Sequence, residues 1–228
     1  MDKLAIDGGP KTIKKPFKKY NSIGHEEVES AKKVIESGVL SQFIGAHDPD
    51  FFGGPKVKEF EKSAADFFNV KHVISVNSWT SGLIAAVGAL NISPGDEIIV
   101  PTWTMCASAT AILHWNAIPV FADIDRETFN LCPKSIEKNI STYTRAIIVA
   151  DIFGQSAEME KIMNIAKNHK LKVISDSAQS PGALYKNRYA GTLADVGGFS
   201  LNYHKHIHTG EGGILVTDND RIAERLQL

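Results

Sequence analysis

Cysteine is nearly absent: the 228 residues include two, Cys106 and Cys132, too few and too dispersed for a disulfide framework or a four-ligand zinc site. Both read as ordinary thiols of a cytoplasmic protein. An excess of one charge is missing too. Lys+Arg 25 against Asp+Glu 26 gives a formal net charge of -1, so no global basic field favours nucleic acid or an anionic membrane surface. Any anion bound here is bound locally. The opening Met-Asp-Lys-Leu-Ala-Ile-Asp-Gly-Gly-Pro and the Lys-rich stretch after it lack the unbroken apolar core of a secretory leader. No internal repeat and no low-complexity segment is present.

Two stretches, 72–95 and 98–122, contain no Asp, Glu, Lys or Arg, and their length alone is that of a membrane span. Their contents argue against one. Asn77, Ser78, Thr80 and Ser81 punctuate the first, and Pro101, Thr102, Ser108, His114 and Pro119 the second. Both read as strand-helix-strand units of a protein whose 43% hydrophobic content suffices for one sizeable core.

Short β-branched runs recur at 72–76, 97–100, 118–121, 145–150, 171–175, 197–201 and 213–217. Helical spacing separates most of them, as in Val57, Phe60, Ala64 and Phe67, or Met159, Ile162, Ile165 and Ala166. This pattern predicts an α/β fold: a seven-stranded, mostly parallel sheet with helices on both faces. The connection 202–212 is too short for a crossover helix, so the seventh strand is expected antiparallel to the sixth. Residues 1–54 read as an N-terminal segment and loop, and 55–228 as one large domain. Asp218-Asn219-Asp220 opens a capped helix that stops at Leu226-Gln227-Leu228 with nothing to bury its leucines. The chain is therefore expected to be the front part of a longer protein.

In open parallel sheets, ligands bind beyond the carboxyl ends of the strands. After the first run, Asn77-Ser78-Trp79-Thr80-Ser81-Gly82 opens a helix whose hydroxyls and free backbone donors suit a phosphate, although Ser and Thr there are more often simple caps. Asp176 and Gln179 follow the fifth run, and Ser200 and Lys205 the end of the sixth. A lone strand-end acid is usually a cap, and a lone loop lysine a solvated group. Together, a phosphate cradle, a carboxylate and a lysine are the inventory of pyridoxal 5'-phosphate (PLP). The lysine makes the Schiff base, the carboxylate pairs with the pyridine nitrogen and the helix start holds the phosphate.

These residues sit in a chain that resembles the DegT/DnrJ/EryC1/StrS aminotransferases, fold-type I enzymes with an aspartate aminotransferase-like large domain. The matching pieces are Gly-Gly-Pro-Lys-Val-Lys-Glu-Phe-Glu (53–61), Pro-Gly-Asp-Glu-Ile-Ile-Val-Pro-Thr (94–102), Pro-Val-Phe-Ala-Asp-Ile-Asp (119–125), Ile-Phe-Gly-Gln (152–155), Asp-Ser-Ala-Gln (176–179) and 205–213. The resemblance implies that Lys205 is the Schiff-base lysine and Asp176 the partner of the pyridinium nitrogen. It puts Gln179 near the ring hydroxyl, Thr80 and Ser81 at the phosphate-binding helix start and Ser200 as a further phosphate ligand. The implied reaction moves an amino group from glutamate or glutamine to a nucleotide-linked keto-sugar or a keto-cyclitol, in polysaccharide or secondary-metabolite biosynthesis. A cytoplasmic homodimer is implied as well, with a small C-terminal domain that this chain lacks.

Three departures matter. Trp79 stands where the family usually has Gly, so crowding of the phosphate is expected. Met105 stands where an aromatic commonly stacks on the cofactor ring; its thioether offers a softer contact, and Trp103 is a possible substitute. His204, His206 and His208 alternate as metal ligands on an extended segment do, but with no cysteine near and Glu211 as the one adjacent acid, no metal is expected. Some dehydratases of this family carry His at the position of Lys205, so lysine favours transfer over loss of water. The alternatives are such a dehydratase, and a truncated non-catalytic remnant or PLP-binding regulatory module.

Overall fold

Continuous apolar runs become buried strands because each of their faces meets a separate helical layer. The computed structural model, which describes residues 3–48 and 50–228, divides into two units, Met1–Leu40 and Ser41–Leu228. The first holds one 3-10 turn and helix α1 (His25–Glu36), neither of which buries a residue. The second runs α2 (Pro55–Phe68), β1 (His72–Val76), α3 (Trp79–Ala89), β2 (Glu97–Pro101), α4 (Cys106–Leu113), β3 (Ile118–Ala122), α5 (Pro133–Asn139), β4 (Thr144–Ala150), α6 (Met159–His169), β5 (Lys172–Asp176), β6 (Leu184–Tyr185), β7 (Arg188–Tyr189), β8 (Val196–Ser200), β9 (Gly213–Thr217) and α7 (Asp220–Gln227).

Seven strands form one sheet in the order β1-β9-β8-β5-β4-β2-β3. β9 pairs antiparallel with both β1 and β8, and the remaining pairings are parallel, so β9 alone runs against the other six. The seven expected strands are all present, and the seventh is antiparallel to the sixth. Period-2 alternation divides their side chains. On β4, Ala146 and Ile148 join α3, α4 and α7 in one apolar layer, whereas Ile147 and Val149 join α5 and α6 in another. A third layer sets Ala64 and Phe68 of α2 against Val73, Phe199, Ile214 and Val216.

The structure departs from expectation in three places. Helix α2 buries Ala64 and Phe68, while Phe60 and Phe67 of the expected stripe are exposed; the Phe67 ring is held outside by stacking on Tyr189, with centroids 5.1 Å apart. Strands β6 and β7 are an additional hairpin, paired antiparallel, whose turn residues Lys186 and Asn187 both have positive φ, 48° and 65°. A mirror-image turn of this kind favours Asn and Gly, and the lysine hides it. At the end of α7, Leu226 packs against the α3 layer and is partly buried, contrary to the expectation that neither leucine finds cover. Leu228 remains 89% exposed. Among the described residues no helix is long and apolar enough to cross a membrane.

Candidate active site

The carboxyl ends of β1, β2, β4, β5 and β8 surround one cavity of about 230 Å³. Thr80, Met105, Asp176, Gln179, Ser200 and Lys205, six of the seven residues singled out from the sequence, line it. Ser81 stands behind the wall, its N–H donating to Ser78 Oγ at 3.1 Å as the cap of α3. Ser78, Trp79 and Thr80, the cap and first turn of that helix, all face the cavity. They bring unpaired backbone donors and the positive end of the helix dipole to it.

Asp176 ends β5, between Ala150 of β4 and Gly198 of β8. Its buried carboxylate takes three donors. Trp79 Nε1 donates to Oδ1 at 2.6 Å and the Ala178 N–H to the same oxygen at 3.3 Å, while Ser108 Oγ donates to Oδ2 at 2.6 Å. Ser108 is fully buried and bonded to Thr104 Oγ1 at 2.8 Å. A carboxylate has about four acceptor positions, so one remains open, on Oδ2. Trp79, which the family pattern marks as a departure, lines the cavity and at the same time reaches Asp176. The indole is 5% exposed and runs inward from the helix start to Asp176.

A second carboxylate, Asp151, lines the same cavity. The N–H of Asp151, the residue after β4, donates to the Asp176 carbonyl at 3.0 Å. Its side chain accepts from Ser177 Oγ (2.5 Å), the Ala157 N–H (2.8 Å) and Ser175 Oγ (3.2 Å). Burial pushes the Asp151 carboxyl above the usual carboxylate range, against the pull of those three donors. Gln179 Oε1 accepts the Phe153 N–H at 2.8 Å. Phe153 has φ 57°, uncommon for a residue other than glycine, and Gly154 follows at φ 83°.

Ser200 ends β8, and its Oγ accepts the Asn202 N–H at 3.3 Å. A turn follows in which the Lys205 N–H donates to the Asn202 carbonyl at 2.8 Å, while Asn202 Nδ2 reaches Glu211 Oε1 at 2.7 Å. These bonds fold 201–212 into a closed loop that places Lys205 half-buried at the cavity wall. Met105 also lines the cavity, whereas Trp103, the suggested substitute, turns its ring to Phe129, 6.0 Å away, and is not part of the wall. Among the described residues, no three of the His, Cys, Asp and Glu side chains come together as a metal site would require.

Sequence reading missed Ser108, Asp151 and the inward role of Trp79. Asp151 could have been found by the strand-end rule that found Asp176. Ser108 could not, because a serine in an apolar helix gives no sign of the acid it meets 68 residues away.

Residues 22–228 match the model of the DegT/DnrJ/EryC1/StrS aminotransferase family. The chain belongs to this family. It is 39% identical over 206 residues to the spore coat polysaccharide biosynthesis protein SpsC of Bacillus subtilis, covering 90% of this chain and 50% of that one. It is 41% identical over 175 residues to the GDP-perosamine synthase of Caulobacter vibrioides, covering 77% and 47% respectively. The X-ray structure of the aminotransferase from Psychrobacter cryohalolentis superposes with a TM-score of 0.85 at 31% identity, over 92% of this chain and 51% of that one. The chain thus spans about half the length of the relatives it matches. The family is PLP-dependent, and among solved relatives one carries the cofactor PMP and another hydrated PLP.

The residues present fit such a group. One wall offers an anion the helix start and the Ser200 hydroxyl, another has a carboxylate with one acceptor position open, and a third carries a primary amine. Each is a different chemical demand of PLP.

Proposed function

We propose that this chain is the cofactor-binding part of a PLP-dependent sugar aminotransferase, passing an amino group from glutamate or glutamine to a nucleotide-linked keto-sugar or keto-cyclitol. The observation that carries the reading is the convergence of Asp176, Lys205 and the α3 start on one cavity, with a single acceptor position of Asp176 left unfilled. The family relationship and the relatives that make amino sugars support the same reading. In this reading the functional unit is a homodimer in the cytoplasm, built on a cofactor-binding domain at 55–228.

When bound, PLP supplies a sink for the electrons of a breaking Cα–H bond. The chain's own groups do the rest. Ser78, Thr80 and Ser200 would hold the phosphate at the dipole's positive end, with Ser81 keeping the cap of α3 in place. Asp176 would accept the N–H of the ring nitrogen through its open position and so favour the protonated ring. Gln179, fixed by the Phe153 N–H, would serve the ring hydroxyl, and Met105 would offer the ring a thioether contact. Lys205 would anchor the cofactor, and its amine would be the group that holds and moves the substrate proton.

The test is the visible spectrum of the purified chain with added PLP, followed by borohydride reduction and peptide mapping. A band trapped on Lys205, absent in Lys205→Ala and bleached by glutamate or glutamine, is the expected result. A band that neither amino donor bleaches would argue against transamination. Sedimentation equilibrium checks the dimer, where a monomer at micromolar concentration is the contrary outcome.

A further inference from the structure

Trp79 is joined to the site in a way the rest of the helix start is not. Its indole N–H is 2.6 Å from Asp176 Oδ1, and both groups are buried. The fold makes room for the ring at two glycines. A Cβ at Gly82 would come within 2.7 Å of indole Cε3, and one at Gly198, the neighbour of Asp176 on β8, within 2.1 Å of Cζ3. The opposite oxygen is held by Ser108, itself fixed by Thr104. The carboxylate is thus gripped on both oxygens by donors from α3 and α4, and neither χ1 nor χ2 of Asp176 can turn without breaking one of them. Its single open acceptor position has one direction.

We infer that Trp79 is a positioning residue for the cofactor, its indole N–H clamping Asp176 so that the open acceptor position on Oδ2 is presented to the ring nitrogen. This rests on the proposed PLP site and names a device within it. The clamp costs no side-chain ordering when the cofactor arrives, because the bonds to Trp79 and Ser108 already exist. A hydrogen bond to an ionised acceptor is stronger than a neutral one, so its loss is felt as binding.

The test takes the purified chain with PLP as probe, and borohydride trapping on Lys205 as the check on the underlying site. Trp79→Phe keeps a buried ring and removes the N–H; it is expected to hold PLP about tenfold or more weakly and to shift the visible band. In the 15N-labelled chain without PLP, the Trp79 indole resonance is expected to move on Asp176→Asn while those of Trp103 and Trp115 stay. A purely structural tryptophan would lower the melting midpoint in Trp79→Phe and leave PLP affinity and band alone. That result, with wild type trapped on Lys205, would overturn the positioning role and keep the site. Failure of wild type to trap PLP on Lys205 would overturn both. Should Trp79→Phe not fold, Gly82→Ala decides: its methyl displaces the indole within a helix that prefers alanine. Unchanged PLP affinity in that variant would sink the inference.

Discussion

Two buried carboxylates, Asp176 and Asp151, line the cavity, and their surroundings differ. Asp176 accepts from Trp79, Ala178 and Ser108, whereas Asp151 accepts from Ser177, Ala157 and Ser175 and its pKa is raised, by burial first and by the neighbouring Asp176 as well, against the pull of those donors. The sign of the resulting linkage is definite. A carboxyl whose folded pKa is raised keeps its proton in the native state after the unfolded chain has lost it. Stability therefore falls as pH climbs from the ordinary value, about 3.9, to the raised one, and no further above it. Asp151→Asn can donate to the serine oxygens and still accept from Ala157, so it is expected to fold and to remove this slope. Urea unfolding at stepped pH would show the variant gaining on wild type through that window; a constant gap between the two would refute the assignment. Asp151→Ala strips the acceptor from Ser177, Ser175 and Ala157, and is expected to lose about 1–3 kcal/mol.

Among the elements, helix α3 shows how packing overrides propensity. Gly88 lies in its interior, where alanine is ordinarily worth about 1 kcal/mol over glycine. Here a Cβ would fall 2.0 Å from Trp115 Cζ2, and the Trp115 ring is pinned by its N–H on the Ile84 carbonyl at 2.8 Å. Overpacking of this kind costs about 1–3 kcal/mol, so Gly88→Ala is expected to lower the thermal midpoint. A rise would mean that the ring gives way. Helix α7 depends on its start: the Asn219 side chain accepts the N–H groups of Arg221 and Ile222, both at 3.1 Å, and Ile222 and Ala223 are buried in the α3 layer. Asn219→Ala is expected to cost about 1 kcal/mol in denaturant unfolding, and no loss would show that packing alone holds the helix.

Across the whole molecule, stability is unevenly distributed. β4 and β5 lie at the centre of the sheet, and Ile147, Ile148, Val173 and Ile174 are fully buried. Helix α1 has 12 residues and buries none of them, a length at which an isolated helix is marginal in water. Amide exchange is expected to be slowest in β4 and β5, requiring global opening, and close to unprotected rates in α1. Comparable protection in α1 would reveal a partner surface that covers it.

The sheet was legible because its central strands are buried on both faces, which writes them as unbroken β-branched runs between helical spacings. The 171–175 run also exposed Asp176, since an acid closing such a run stands where parallel sheets gather their ligands. Lys205 and Ser200 were legible by the same rule, and the family motifs added their roles. Contacts between distant residues were not legible. Trp79 meets Asp176 across 97 positions and Ser108 meets it across 68, and no local pattern encodes a donor's direction. The 184–189 hairpin was hidden by a lysine at positive φ, and the cover over Leu226 by the α3 layer that the sheet carries to it. Sequence determined the seven strands of the main sheet, the reversal of the last against the one before it and the residues at their ends, because burial and period are local properties. Only the tertiary structure decided that Trp79 turns inward, that Asp176 keeps one open acceptor position and that Asp151 joins it on the cavity wall, because hydrogen-bond geometry exists only once distant strands and helices are packed together.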